Sequence, residues 1–340
     1  MALQSKRDEL ISAWRALGGR QTDEGWHTIS VARGGPYSLL AGRHFPGNEE
    51  ALLVGFSSVG AHAADNLPQG KGFLVSIADI KQSGTHQIWI ALRRQHAGSL
   101  DLFALMADDI ALTLEALSDA DDERLFNIFL SRIRAWQDFM KRDGDGVLSP
   151  EAEVGLFGEL EVLRNLILAG VSVNHAVTAW QGPLSGIHDF TLGTGAIEVK
   201  STLSSTSFPA NIGSLDQLDE IQKWPLFIAS IRLAMIANGK NLLDQVNELR
   251  ELVSDDPTAK WLFGSRLLQA NFLDTFSDRY TRRFICTESK VLQVTPDIPH
   301  LSRSNVPIEI KSAQYEIDIN MLSVSDFGLD QALTLLGVIE

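Results

Sequence analysis

Residues 187–201 read IHDFTLGTGAIEVKS, and the charged positions in this stretch decide the fold. Gly193-Thr194-Gly195 supplies a turn between two runs of strand-forming residues, so strands are expected at 187–192 and 196–203. Side chains alternate along a strand, which puts Glu198 and Lys200 on one face and Ile197 and Val199 on the other. If the turn folds the pair antiparallel, Asp189 comes up to Glu198. Two carboxylates and an ammonium would then meet at one spot.

Such a cluster suits a divalent cation. Phosphodiester hydrolysis calls for these residue types because the attacked phosphate is anionic and the expelled alkoxide is a poor leaving group. Asp189 and Glu198 would be metal ligands, aided by a backbone carbonyl near Val199, and Lys200 would orient the attacking water or stabilise developing charge. The bland alternative is a salt-bridged strand face. Upstream, GLFGELEVLRNL (155–166) places Gly155 and Glu159 four apart on one helix face, with Val162, Leu163 and Leu166 on the adjoining surface. Glu159 is thereby tied to the packed side and is the fourth candidate, for a metal or for the lysine. Glu161 points about 200° away and ranks second. The bland reading of Glu159 is a surface acid beside Arg164.

The order GLFGEL, then GIHDF, then AIEVKS resembles the PD-(D/E)XK nuclease superfamily, in particular its bacterial members encoded among restriction–modification and phage-defence genes. The resemblance runs over most of the chain, through Tyr280 and Val306-Pro307 to Tyr315-Glu316-Ile317-Asp318. It implies an α/β (α+β) fold with a restriction-endonuclease-like core, a mixed central sheet flanked by helices, and cleavage of DNA dependent on Mg²⁺ (or Mn²⁺). It assigns Glu159 to the helix position, Asp189 to the motif aspartate, and Glu198 and Lys200 to the ExK pair. His188 stands where the family pattern has proline, a position that ligates nothing.

An aspartate followed by E-x-K is a weak pattern alone, and this chain holds a second match at Asp297, Glu309 and Lys311. Pro299 and Pro307 fall between its members, no GxxxE helix precedes it, and a surface strand is its expected form. His188 is expected to be packed or hydrogen-bonded on the face opposite Asp189. The serine-rich run Ser201, Thr202, Ser204, Ser205 and Thr206 offers phosphate contacts or a solvated turn.

Around this core the chain divides in two. A helix at 4–17 is followed by apolar runs at 28–32, 37–41, 51–56, 72–77 and 87–92, which read as an antiparallel meander, and by two helices at 99–117 and 121–141. Asp143-Gly144-Asp145-Gly146 is a glycine-broken linker, and its flanks lack the first and twelfth acidic ligands of a calcium loop. A strand-rich N-terminal domain, residues 1–145, and a nuclease-like domain, 146–340, are expected on either side. Ser149-Pro150 opens the helix that carries Glu159. Further strands are expected at 176–180, 225–233, 283–287, 290–294 and 313–319, with helices at about 240–253 and 257–274.

Composition limits the partners. The 340 residues carry 29 basic and 43 acidic side chains, a net charge of −14, so no overall positive field draws the chain to nucleic acid or to a membrane. Residues 151–340 hold 14 basic and 24 acidic groups, and Arg279, Arg282 and Arg283 form their densest cationic cluster. The seven tryptophans sit mostly on apolar faces, so core packing rather than base stacking is expected of them. The single cysteine, Cys286, excludes a disulfide framework and any multi-cysteine metal site and fits a reducing cytoplasm. No P-loop appears, so an ATP-driven step would belong to a partner such as a helicase, ATPase or methyltransferase. The expected function is a metal-dependent DNA endonuclease of a restriction or phage-defence system, and a homodimer would provide the two sites needed to cut both strands. The alternative is a catalytically silent nuclease-fold subunit that acts as scaffold or DNA-binding component of a larger complex.

Overall fold

A computed structural model describes all residues except 1–5, 20–23, 35–36, 58–66, 71, 81–86, 117–120, 142–146, 185, 220–222 and 340. The chain separates into two compact units, Met1–Asp143 and Gly144–Glu340. The linker at 143–146 lies outside the described residues.

The first unit begins with α1 (Lys6–Gly18), which buries Leu10, Ala13, Trp14 and Leu17 along one side. Six strands follow: β1 (Gly25–Gly34), β2 (Tyr37–Phe45), β3 (Glu49–Phe56), β4 (Gln69–Gly70), β5 (Phe73–Ala78) and β6 (Ile88–Arg94). They form one antiparallel sheet in the order β1-β2-β3-β6-β5-β4. The meander expected from the sequence holds only as far as β3. Every residue of β3 from Glu50 to Phe56 is buried, so its ladder needs a partner on both edges, and the apolar β6 supplies the second one. β5, with Ile77 half exposed, takes a place nearer the rim. Helices α2 (Leu100–Ala116) and α3 (Asp122–Lys141) follow, and the Phe56 ring meets Phe126 and Phe129 of α3 at 5.3 and 5.9 Å between centroids.

The second unit opens with α4 (Pro150–Leu168), capped as its sequence indicates: the Ser149 hydroxyl accepts from Ala152 N and proline occupies the first turn. The order continues with α5 (Val173–Ala179), β7 (Phe190–Leu192), β8 (Gly195–Thr202), β9 (Pro209–Ile212), β10 (Leu226–Lys240), α6 (Leu242–Leu252), α7 (Pro257–Gln269), β11 (Phe284–Gln293), β12 (Tyr315–Asp318) and α8 (Leu329–Leu335). The central sheet is mixed, ordered β11-β10-β8-β7, with β8 and β10 parallel and the other pairs antiparallel. One face, through Ile197, Val199, Phe227, Ala229 and Ile231, packs against α4 to α8. The other, through Ala196, Leu226, Ile228, Leu292 and Val294, is covered by the β9–β12 ribbon.

Four expectations are corrected here. Residues 176–180 belong to helix α5 and not to a strand, because Ala176, Val177 and Ala179 bury into the helical layer and only Trp180 bridges to Phe190. In so short a segment packing decides over the β-branched composition. Residues 187–189 bend into the sheet, leaving β7 only three residues long. The strands read at 283–287 and 290–294 are the single β11, since Ser289 and Lys290 continue the ladder opposite Ile231 and Ser230. The second E-x-K match lies in turns and irregular chain, with Asp297, Glu309 and Lys311 exposed, and is not a surface strand.

Candidate active site

Helix α4 lies directly on β8. A Cβ on Gly158 would stand 1.8 Å from the Ser201 hydroxyl oxygen, so only glycine lets the two backbones come this close. Gly155 faces open space, so Gly158 is the glycine of GLFGEL on which the packing depends. The next residue, Glu159, is thereby carried to the end of the β7–β8 hairpin.

The hairpin pairs Phe190 with Ile197, Thr191 with Ala196 and Leu192 with Gly195 around the tight turn, so Asp189 stands opposite Glu198 at the hairpin's open end. The Val199 amide donates to Asp189 Oδ2 at 2.7 Å. Lys200 Nζ pairs with Glu198 Oε1 at 2.8 Å, and Glu198 Oε2 is buried with no hydrogen-bond partner. On the other side Trp180 Nε1 donates to Glu159 Oε2 at 2.7 Å. The segment between is pinned by Gln181 N and Gly182 N, which donate to the Asp189 carbonyl at 2.7 and 3.1 Å. A Cβ on Gly182 would sit 2.5 Å from Glu159 Oε2 and 2.9 Å from Asp189 Oδ1, so these two oxygens converge on the gap that glycine leaves.

Burial sets the electrostatics. Desolvation, then the charge of Asp189, holds the Glu159 carboxyl well above the usual carboxylate range. Burial also raises Asp189, against the pull of the Val199 amide and Lys200. Glu198 is pushed up to about 8, first by desolvation and then by Asp189. Three carboxylates thus share one ammonium in a dry site. That imbalance is relieved either by protons or by a cation. Among the described residues no three His, Cys, Asp or Glu side chains stand together as a finished cage. Mg²⁺ needs none, since it is held by one or two carboxylates with its waters retained. The unpartnered Glu198 oxygen and the two oxygens converging at Gly182 fit that demand.

The other candidates are occupied elsewhere. Glu161 accepts from Gln245 at 2.7 Å and pairs with Arg164 at 3.3 Å; Arg164 in turn binds Glu248 at 2.7 Å, so Glu159 is not its surface partner. His188 is buried with Nε2 3.1 Å from the Gln217 carbonyl, and burial lowers its basicity. Arg282 is held by Glu153 at 2.6 Å and Arg283 by Asp244 at 3.1 Å, so two members of the cationic cluster are built into ion pairs. Cys286 is a half-buried thiol packed at the rim of the helical core. Sequence reading missed Trp180 and Gly182. A buried indole must find an acceptor for its N–H, and a tryptophan nine residues before the motif aspartate was the available signal.

No curated protein and no solved structure matches the chain significantly. No described helix is long and apolar enough to cross a membrane. One family model, bearing the description "Putative PD-(D/E)XK family member, (DUF4420)", matches residues 10–320. That span takes in α4, the β7–β8 hairpin and all four clustered side chains, and the chain belongs to this PD-(D/E)XK family.

Proposed function

We propose that the second unit is a divalent-metal-dependent DNA nuclease, with Asp189 and Glu198 holding Mg²⁺ or Mn²⁺, Glu159 assisting and Lys200 beside the nucleophile. The observation that carries this reading is the buried set of three carboxylates around one lysine, with an orphaned oxygen on Glu198. A structural ion pair needs one acid for one base; this site has a surplus of acids. Nucleases of this superfamily typically use divalent metals, and a bound ion would supply charge neutralisation for the phosphate and an activated water.

The chain's own groups prepare the rest. Glu198 Oε1 fixes Lys200 Nζ, so the ammonium is held to donate to a phosphate oxygen or to the attacking water. The Val199 amide fixes Asp189 and the Trp180 indole fixes Glu159, and Gly182 keeps the space between them open. Without a cation, the Glu198 carboxyl, pushed up to about 8, holds a proton near neutral pH, and burial displaces Glu159 in the same direction.

A silent nuclease-fold subunit is the second reading, favoured by the acidic balance of the unit and by its paired arginines. Purified chain incubated with plasmid and Mg²⁺ or Mn²⁺ decides between them. The nuclease reading expects nicking that Lys200→Ala abolishes and EDTA stops. Equal nicking by both proteins would assign the activity to a contaminant, and no nicking with no metal binding by calorimetry would favour the scaffold. A place in a restriction or phage-defence system, with a helicase, ATPase or methyltransferase as partner and cutting by a homodimer, is the setting we propose for this activity.

A further inference from the structure

The sheet face that carries Glu198 and Lys200 continues across β10 to β11. Register places Lys200 beside Ser230 and Ser230 beside Lys290, and in the next row Thr202 beside Arg232 and Arg232 beside Glu288. With strands about 4.8 Å apart, Lys290 stands about 10 Å from Lys200 on the same face. There the sheet opens into a cleft of about 440 Å³, the size of pocket that takes a small organic ligand. Leu292, Ile319, Leu322 and Val324 contribute the apolar atoms of its lining. Ser205, Asn320, Glu288 and Asp326, with Arg232 and Lys290, make up the larger, polar part.

The polar part of the lining is held in place. Arg232 donates to Glu288 at 2.8 Å, to the carbonyls of Ser204 and Ser207, and to Asn320 Oδ1 at 3.0 Å, while its guanidinium lies 5.1 Å over the Phe208 ring. This one side chain therefore fixes the serine-rich turn that leaves β8 two residues after Lys200 and brings Ser205 to the cleft. Asp326 accepts from Val291 N at 2.9 Å and Gly328 N at 3.0 Å. Lys290 pairs with Glu288 at 2.5 Å and stays nearly half exposed at the rim, with further ammonium hydrogens to donate.

We infer that this cleft receives one nucleotide of the DNA strand that is cut at the carboxylate cluster, its base among the lining side chains and its phosphate toward Lys290. The inference rests on the nuclease reading and adds the place where the strand is gripped. Two carboxylates inside the cleft repel a phosphate there but accept hydrogen bonds from the exocyclic amines of a base, so the base enters and the phosphate stays at the rim. Fixed polar groups beside apolar side chains are what an unstacked base needs, the first for its edge and the second for its face. The location, one short step along the sheet from Lys200, lets a single strand touch both.

The test reads binding apart from cleavage. A fluorescent single-stranded oligonucleotide of about ten nucleotides is titrated with the full chain in EDTA, and anisotropy gives Kd. Leu322→Trp, which fills the cleft, and Lys290→Gln, at its rim, are each expected to weaken binding about tenfold, the loss typical of one base or phosphate contact. Melting curves establish that each variant is folded, and Lys290→Gln, on an exposed side chain, serves if the bulkier change is not tolerated. Binding unmoved by either change, or no binding of the strand at all, overturns the cleft assignment, even if the chain nicks plasmid. Weakened binding in both variants of a chain that never nicks DNA upholds the grip and sinks the nuclease reading instead. Binding of free deoxynucleoside monophosphates without binding of the strand would make the occupant a free nucleotide and overturn the proposal.

Discussion

Both units bury a glutamate in a sheet, and the surroundings of the two differ. In the first unit Glu50 lies between Arg43 Nη2 at 2.8 Å and Arg94 Nε at 2.7 Å, so each carboxylate oxygen has its own guanidinium. Asp109 in the same unit is likewise closed off, by Arg132 at 2.6 Å and Trp136 at 2.7 Å. In the second unit Glu198 meets one ammonium, leaves one oxygen orphaned and faces Asp189 with Glu159 beyond. A matched ion pair holds a fold together, whereas an unmatched cluster of acids stores an affinity for something positive. The difference lies in the count of charges, since both glutamates are almost fully buried.

Neutral substitutions break this comparison most directly. Glu198→Gln is expected to reduce metal-dependent cleavage by roughly 10³-fold or more, as loss of an ion's ligand does. The same change should leave the melting temperature of the metal-free chain unchanged or raised, because a carboxyl that already holds a proton is exchanged for an amide. Glu50→Gln should do the reverse. It strands Arg43 and Arg94 without a carboxylate and is expected to cost about 3 kcal/mol of the first unit's stability, lowering its melting temperature by roughly 10 °C. Calorimetry of both variants, beside a nicking assay at a temperature where both are folded, checks the pair. If Glu198→Gln destabilised the chain as much as Glu50→Gln, the cluster would be an ordinary structural pair.

A smaller effect is expected at Trp180. Trp180→Phe keeps the ring contact with Phe263, at 6.0 Å between centroids, but removes the donor to Glu159. Leaving that buried oxygen without a partner is expected to cost about 1–3 kcal/mol, with a fall in cleavage because the carboxylate is no longer aimed. Restored activity at raised Mg²⁺ would mark the indole as a positioning group; unchanged metal dependence would leave it a packing residue.

How far the sequence exposed this site follows from what each residue depends on. Asp189, Glu198 and Lys200 were legible because period-two alternation and one tight turn bring them together with no help from distant contacts. Glu159 was legible through helix periodicity and the resemblance together. Trp180 was not, because its role depends on α5 being a helix, and that helix is decided by burial of Ala176, Val177 and Ala179 in a layer the local sequence does not show. The order of the first sheet was hidden for the same reason: β3 pairs with β6 across more than thirty residues, and only its burial on both faces demands that partner. The cleft beside Arg232 draws on β8, β10, β11 and the segment after β12, so no window of sequence contains it.

The pH dependence of stability gives the smallest and most discriminating effect. A carboxyl whose folded pKa is raised binds more protons in the native chain than in the unfolded one, so stability falls as pH climbs from the unfolded pKa to the folded one. For Glu198 that window runs from the ordinary glutamate value of 4.5 to about 8, and Glu159 and Asp189 are displaced in the same direction. The metal-free second unit should therefore lose a few degrees of melting temperature between pH about 5 and about 8, measured in EDTA. Taking the difference between wild type and Glu198→Gln removes the titration of groups remote from the cluster, and the decline of that difference with pH should shrink when saturating Mg²⁺ is present, because the ion stabilises the ionised carboxylates. A difference curve flat from pH about 5 to about 8 would mean that Lys200 already compensates Glu198, and the contrast between the two glutamates would vanish.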